Sequence, residues 1–152
     1  MQYPAYTVLM SLYAKERPEY LKESLDSMLA QTVPPAEIVM VEDGPLTDGL
    51  EDVLREYDSA HPGLFNFVAY GENRGLGYAL RQGMVACSNE VVARMDTDDI
   101  ARPDRMEKQL AALESGLDMV GSDVVEFIES PEKPVATTDL PKGMGAIRAY
   151  SK

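Results

Sequence analysis

The chain has 152 residues, of which 45% are hydrophobic and 26% are charged, and its formal net charge is −12. This length fits one domain with a sizeable core, and the acidic balance argues against nucleic-acid binding, which needs clustered Lys and Arg. The single cysteine, Cys87, excludes an internal disulfide and a cysteine-based zinc site. It favours a reducing compartment, and we expect it to be a core residue. No apolar run approaches the roughly 20 residues of a membrane span, so we predict none in this chain.

Hydrophobic periodicity predicts strands that alternate with helices along the chain. The predicted strands cover residues 6–13, 37–42, 64–70, 90–95 and 119–128. The predicted helices run from Pro18 to near Gln31, from a cap at Thr47 to about Ala60, from Gly75 to Cys87, and from Pro103 to a stop at Gly116, with a further candidate helix around Gly145 to Tyr150. This alternation implies right-handed crossovers, and hence an α/β fold with a mostly parallel central sheet and helices on both faces. Such sheets bind ligands beyond the carboxyl ends of their strands.

An acidic cluster, Asp96-Thr97-Asp98-Asp99, follows the fourth predicted strand. Three carboxylates in four residues repel one another unless a cation or basic groups compensate. Mg²⁺ and Mn²⁺ prefer oxygen ligands and are held by one or two carboxylates together with substrate phosphates. The cluster therefore predicts a metal site, and the alternative is a solvated acidic turn that caps the helix at Pro103.

Other polar residues fall at the ends of the predicted strands. Asp43 can accept hydrogen bonds from a base or a ribose, although it can equally stabilise the Asp-Gly-Pro turn. Ser11 and Tyr13 end the first strand, and Tyr13 can either stack on a flat base or pack at the sheet edge. Arg74 can pair with phosphate or base, or be a solvated surface residue. The pair Gly75 and Gly77 is a weak phosphate-loop motif, because the third glycine of the dinucleotide fingerprint is missing.

Four segments in this order give the chain a resemblance to a known family. They read VLMSLYAKERPEYLKESLDSMLAQT, EIVMVEDG, NRGLGYALRQGM and ARMDTDDIARPDRMEKQL, and together they cover most of residues 6–113. The chain resembles the family 2 glycosyltransferases, which have the GT-A fold, and especially the bacterial enzymes of polysaccharide biosynthesis. The resemblance implies that residues 1–152 are a single nucleotide-sugar-binding domain, the N-terminal part of a longer glycosyltransferase.

The resemblance also implies roles for the nucleotide-binding residues. Ser11 and Tyr13 match positions that line the nucleotide pocket. Asp43 matches the carboxylate that contacts the base, usually uracil, so the expected donor is a UDP-sugar. Arg74 matches a position that reaches the base or the phosphates.

The acidic cluster overlays the family's metal motif. Asp98 and Asp99 are the expected ligands of Mn²⁺ or Mg²⁺, and Asp96 supports them from the side of the ribose. A divalent cation would also offset the negative charge of the protein where a diphosphate has to bind.

The family resemblance implies transfer of a hexosyl group to a glycan or lipid-linked acceptor, with inversion. The expected location is the cytoplasm, with the full-length protein at the inner face of the membrane. The family's general base belongs to a later acidic motif, which the acids after Ile128 do not match. We therefore expect the base beyond Lys152, assign no catalytic residue, and expect this polypeptide alone to have little or no activity.

Two other classes remain open on the sequence. A sugar-nucleotide pyrophosphorylase shares the sheet plan and a metal-binding aspartate, but it opens with a Gly-rich basic loop where this chain reads SLYAKERP. A phosphatase with an Asp-x-Asp motif usually carries its nucleophile after the first strand. The alternative outside enzymes is a non-catalytic nucleotide-binding or interaction module.

Overall fold

The computed structural model describes residues 3–128 and 130–138. Within them the elements, in chain order, are β1 (Tyr6–Leu12), α1 (Pro18–Leu29), β2 (Glu37–Asp43), α2 (Asp48–Ala60), β3 (Phe65–Tyr70), α3 (Leu76–Ala86), β4 (Val91–Arg94), α4 (Arg105–Glu114), β5 (Val124–Phe127) and β6 (Pro134–Thr138). The chain forms two compact units, Met1–Ala111 and Ala112–Lys152.

The first unit contains a four-stranded parallel sheet in the order β3-β2-β1-β4. In its centre Val8 of β1 lies opposite Ile38 of β2 on one side and Ala93 of β4 on the other. The strands step outward from β1 to β3, and the chain then returns to place β4 on the other side of β1. Ligands bind at such a reversal of strand order, beyond the carboxyl ends of the strands. The topology therefore predicts a ligand site beyond the carboxyl ends of β1 and β4.

One face of the sheet is covered by α3. Leu9, Val39 and Val41 form a buried cluster with Ala79 of this helix. The helix lies very close to the sheet at Gly83, where an added Cβ would be 2.8 Å from Val41 Cγ2. This close approach explains why a glycine stands inside a helix, where it costs stability relative to alanine.

The opposite face consists of the alternate residues of the same strands. The fully buried ones on β1 and β2 are Val8, Met10, Leu12, Ile38 and Met40. Right-handed crossovers place α1 and α2 on this face, because both connect strands that step in one direction, while α3 returns across the other face. Leu21, Leu25 and Met28 of α1 are accordingly buried, and α1 contacts α2. The predicted α/β fold, with a parallel sheet and helices on both faces, is confirmed.

Most predicted elements agree with the structure to within a few residues, but the predicted extent and pairing of the fifth strand were wrong. Only Val124–Phe127 of the predicted 119–128 is extended. It pairs antiparallel with β6 in a separate two-stranded sheet of the second unit instead of extending the parallel sheet. Every residue of both strands is exposed, so neither face of this hairpin contributes to a buried core within its own unit. The possible helix at 145–150 lies outside the described residues.

Smaller differences concern the helix ends. Thr47 is the N-cap residue of α2, as predicted, but its side chain makes no capping hydrogen bond. Gly116 adopts a φ of +91° just after α4, consistent with the predicted stop. Cys87 is half-buried and packs against the cluster around Leu9.

No helix within residues 3–128 and 130–138 is long and apolar enough to cross a membrane. The longest of them, α2, has 13 residues, whereas a span takes about 20.

Candidate functional site

A cleft of about 830 Å³ lies at the carboxyl ends of β1, β2 and β4. Four chain segments line it: residues 11–16 after β1, 43–45 after β2, 73–76 before α3, and 96–98 after β4. The cleft is therefore at the reversal of strand order, where the topology predicts a ligand. Of the residues expected to bind substrate or metal, it brings together Ser11, Tyr13, Asp43, Asp96 and Asp98, and the side chains of Arg74 and Asp99 do not line it.

The end of β1 contributes a polar and aromatic wall. Ser11 lies within the strand and is half-buried, whereas Tyr13 follows the strand and exposes 43% of its surface. An exposed ring at the mouth of a cleft offers a face on which a planar group can stack. Lys15, in the same wall, forms no ion pair within the part of the chain that the structure describes.

Asp43, the last residue of β2, is only 3% exposed, and its carboxylate is held by three donors. Oδ1 accepts hydrogen bonds from the Tyr70 hydroxyl at 2.9 Å and the Arg74 backbone N–H at 2.7 Å, and Oδ2 accepts one from the Gly75 N–H at 3.0 Å. These bonds offset the cost of burying the charge. A carboxylate has about four acceptor positions, so one remains for a ligand. Asp43 thus fixes the loop before α3 in addition to facing the cleft.

Gly44 completes the contact between the β2 turn and this loop. Its φ is +86°, and an added Cβ would lie 2.6 Å from the Asn73 backbone nitrogen. Asn73 Nδ2 also donates to the Asp43 carbonyl oxygen at 3.2 Å. The two segments that form this side of the cleft are therefore packed backbone against backbone.

The Arg74 side chain turns away from the cleft lining. Its guanidinium pairs with Glu72 Oε1 at 2.6 Å and lies over the Tyr78 ring, 5.0 Å from the centroid. Both residues of the ion pair are largely exposed, so the pair contributes little to stability. In this arrangement Arg74 contributes to the site through its backbone N–H, which binds Asp43. Its guanidinium charge is paired with Glu72, outside the cleft lining.

Tyr70, which the sequence analysis did not single out, belongs to this assembly. Burial and the hydrogen bond to Asp43 raise the pKa of the Tyr70 hydroxyl to about 12, so it remains a proton donor at any physiological pH. Its position as the last residue of β3, in register with Asp43, is the feature that brings the two together. Register between strands is not readable from one sequence, and the residue was missed for that reason.

The acidic cluster forms a turn, closed by a hydrogen bond from the Asp99 N–H to the Asp96 carbonyl oxygen at 3.3 Å. The carboxylate of Asp96 is bidentate with the guanidinium of Arg94, with the closest atoms at 2.9 Å. Asp98 is exposed and lines the cleft beside it. Burial raises the pKa of the Asp99 carboxyl, and the charges of Asp98 and Asp96 raise it further. Asp96 and Asp98 thus line the cleft, and Asp99 does not.

The donor set suits a cation that shares its coordination with a substrate. Within the described ranges no three His, Cys, Asp or Glu side chains converge on one metal position, so Asp96, Asp98 and Asp99 do not form a three-carboxylate site in this geometry. Asp96 and Asp98 provide hard oxygen donors on one wall, which fits the preference of Mg²⁺ and Mn²⁺ for one or two carboxylates with phosphates and water completing the shell.

The acidic turn is also fastened to the β1 wall. Thr97 is buried, although its neighbours Asp96 and Asp98 are half-buried and exposed. Its hydroxyl donates to Glu16 Oε2 at 3.0 Å. Glu16 lies in the loop after β1 and lines the cleft. The sequence analysis gave Thr97 no role of its own, because a sequence pattern does not show which residue a short polar side chain will contact.

The cleft is strongly anionic. Its described lining carries one cationic side chain, Lys15, and four carboxylates, namely Glu16, Asp43, Asp96 and Asp98. A diphosphate brought into such a place is repelled unless a cation accompanies it.

The sequence and the fold both match known glycosyltransferases. Residues 7–147 match the model of the family described as Glycosyl transferase family 2. The amylovoran biosynthesis glycosyltransferase AmsE of Erwinia amylovora is 44% identical over 142 residues, which is 89% of this chain and 53% of that protein. The UDP-Gal:alpha-D-GlcNAc-diphosphoundecaprenol beta-1,3-galactosyltransferase of Escherichia coli is 33% identical over 151 residues, 98% of this chain and 54% of that protein. The chain thus spans about half the length of the curated relatives it matches.

Among solved structures, the mannosyltransferase PcManGT of Pyrobaculum calidifontis, in complex with GDP-Man and Mn²⁺, superposes with a TM-score of 0.63. The two sequences are 27% identical, and the match covers 86% of this chain and 37% of that one. The GT-A architecture expected from the sequence is therefore confirmed.

Proposed function

The chain belongs to glycosyl transferase family 2, and from this premise we propose that its cleft binds the nucleotide diphosphate of a sugar donor together with a divalent cation. In the whole protein this site serves the transfer of a hexosyl group to a glycan or lipid-linked acceptor. The observation that carries the proposal is the presence of Asp43, Asp96 and Asp98 in one cleft at the reversal of strand order.

The nucleotide is assigned to the wall formed by β1 and β2. The exposed ring of Tyr13 stacks on the base, Asp43 uses its remaining acceptor position for a base N–H, and Ser11 lines the pocket between them. Arg74 reaches the base or a phosphate only by leaving Glu72 and Tyr78, which exposed contacts of this kind permit at small cost. We propose UDP as the nucleotide, in line with the name of the Escherichia coli relative, whereas PcManGT is described with GDP-Man.

The diphosphate is assigned to the acidic turn. We propose Asp98 and Asp99 as ligands of Mn²⁺ or Mg²⁺ and Asp96 as the neighbour of the ribose. Asp98 lines the cleft, and Asp99 joins through an adjustment of the turn when the ligands bind. The structure of PcManGT, which is described as a complex with GDP-Man and Mn²⁺, supports the choice of metal. When bound, the cation supplies Lewis-acid stabilisation of the diphosphate leaving group. Lys15 adds a positive charge from the loop after β1.

The acceptor and the general base are assigned to the whole protein. We propose an inverting displacement in which a carboxylate removes the proton of the acceptor hydroxyl as the sugar leaves its diphosphate, and we place that carboxylate beyond Lys152. The diphosphoundecaprenol acceptor in the name of the Escherichia coli relative supports a lipid-linked acceptor and action at the cytoplasmic face of the membrane.

Calorimetry with UDP and GDP, each with and without Mn²⁺, tests the proposal. Heat of binding that requires Mn²⁺ is the expected result for UDP, and the Asp98→Asn variant loses most of it. Asp43→Asn is expected to change the preference between UDP and GDP more than the dependence on Mn²⁺. Absence of nucleotide binding at millimolar concentrations of both ligands would favour the interaction module and contradict the proposal.

A further inference from the structure

Three polar side chains on one side of α1 and its end bind the backbone of the segment that follows β4. The Ser24 hydroxyl donates to the Asp96 carbonyl oxygen at 2.9 Å, Ser27 Oγ accepts from the Ala101 N–H at 3.0 Å, and Gln31 Oε1 accepts from the Met106 N–H at 2.9 Å. Gln31 Nε2 also donates to the Arg102 carbonyl oxygen at 2.8 Å. We call Ser24, Ser27 and Gln31 the α1 polar row.

The row holds a segment whose first residue, Met95, still donates its N–H to the Leu9 carbonyl oxygen of β1 at 3.0 Å and whose later residues lie outside the β1–β4 pairing. Residues 95–104 follow β4 and precede α4 without forming a helix or a strand, so their backbone groups need partners from elsewhere. The row supplies those partners from a helix that is itself anchored in the core by Leu25 and Met28. The Gln31 side chain binds the first turn of α4, where backbone N–H groups lack a partner inside the helix.

Ser24 acts at the acidic turn itself. The Asp96 carbonyl oxygen accepts two hydrogen bonds, one from Ser24 and one from the Asp99 N–H that closes the turn. Ser24 is fully buried, so water has no access to replace its hydroxyl. On the other side of the turn, Thr97 is held by Glu16. The backbone between the cleft-facing carboxylates is thus fixed from two directions.

We propose that Ser24 is a positioning residue that sets the carboxylate of Asp98 for the cation and that of Asp96 for the neighbouring ribose. The inference rests on the proposed function of the cleft. Neighbouring carboxylates repel one another and tend to spread when the backbone allows it, whereas a cation is held tightly only by ligands with fixed positions. A serine is not needed for α1 as a helix, because alanine has the higher helix propensity. Its hydroxyl is explained by the bond to Asp96.

The test compares Ser24→Ala with Tyr57→Phe. Tyr57 of α2 donates its hydroxyl to Asp26 of α1 at 2.6 Å, so the control also removes one hydrogen bond of the same helix, on the side facing α2. For each protein we would measure the Tm without ligands and then the UDP affinity by calorimetry over a series of Mn²⁺ concentrations. Both variants are expected to lower the Tm.

Only Ser24→Ala is expected to raise the Mn²⁺ concentration needed for half-maximal UDP binding, by about tenfold, the usual effect of removing an outer-shell partner. Ser24→Cys keeps the shape with a weaker donor, and an intermediate shift is expected; it replaces Ser24→Ala if that variant does not fold. An Mn²⁺ dependence unchanged from the wild type in both Ser24 variants would overturn the inference while leaving the proposed function intact. A wild-type protein that binds neither UDP nor GDP with Mn²⁺ would instead reject the proposed function, and the inference with it.

Discussion

The Tyr70 hydroxyl and the Asp43 carboxylate are joined at 2.9 Å, and this bond closes a ring of contacts around the end of β2. The Tyr70 ring meets Tyr78 edge to face, with centroids 5.3 Å apart, and Tyr78 in turn lies under the Arg74 guanidinium. Arg74 then returns to Asp43 through its backbone N–H at 2.7 Å. Asp43 is thus bound to the loop before α3 both directly and through two aromatic rings. The shape of this side of the cleft, where we propose that the nucleotide binds, depends on all of these contacts together.

Tyr70→Phe is expected to loosen the loop while keeping the aromatic packing. The variant removes one of three donors to a buried carboxylate, for which a loss of about 1–3 kcal/mol in the free energy of unfolding is typical. Urea denaturation would measure it. UDP affinity should fall severalfold with an unchanged dependence on Mn²⁺. Tyr78→Phe is the matched control, because among the described residues the one polar contact of its hydroxyl is a long one of 3.4 Å with Arg74. A loss as large as that of Tyr70→Phe would contradict the role given to the Asp43 bond.

Asp98→Asn and Asp99→Asn separate the two proposed metal ligands. Each removes a negative charge and should weaken Mn²⁺-dependent UDP binding by tenfold or more, with the larger effect at Asp98, which lines the cleft. Neither should lower the Tm without ligands, because each variant relieves repulsion within the turn. Asp52→Asn, on the exposed surface of α2, serves as the control for charge alone. Equal binding by Asp98→Asn and the control would remove Asp98 from the site.

Gly44→Ala should be more destabilising than Gly63→Ala, although both glycines have a φ above +80°. An added Cβ at Gly63 meets nothing within 4 Å, so that variant carries only the backbone strain of about 1–2 kcal/mol. At Gly44 the same methyl group would lie 2.6 Å from the Asn73 backbone nitrogen, and the two segments of the cleft wall would have to separate. Thermal unfolding of both variants gives the comparison. Similar losses of stability would show that the contact with Asn73 yields easily.

The stability of the first unit should fall in acid partly through Glu37. This carboxylate accepts hydrogen bonds from Thr7, Ser88 and Asn66. Its burial raises the pKa, but those hydrogen bonds together outweigh it and hold the pKa of Glu37 below its ordinary value.

Because the folded pKa is lowered, the contribution of Glu37 is fully present above the unfolded pKa, about 4.3, and is lost as the pH falls through the folded pKa. Urea midpoints of the wild type and Glu37→Gln, followed from pH 6 to pH 3, would measure it. The difference between the two proteins should be largest near neutral pH and shrink in acid. A difference that stays constant with pH would contradict the role of the charge.

The positions of the candidate residues in the sequence were sufficient to predict that they lie at one edge of the sheet. Asp43 and the acidic cluster both directly follow buried strands, and parallel strands place their carboxyl ends along one edge. The same reasoning failed for the fifth strand, since a short apolar run such as VVEF does not show whether it pairs in a parallel sheet or in a local hairpin. Arg74 was singled out for its charge and its place in the family motif, but the direction of a long exposed side chain is decided by its neighbours, here Glu72 and Tyr78.

The sequence by itself determined the alternation of strands and helices, the family, and the acidic residues at the strand ends, because hydrophobic period and motif order are properties of the chain. The tertiary structure alone decided which partners those residues have. Tyr70 reaches Asp43 through strand register, and Ser24 reaches Asp96 across 72 positions of the chain. Hydrogen bonds act over about 3 Å in space, and only the folded arrangement brings residues so distant in sequence within that range.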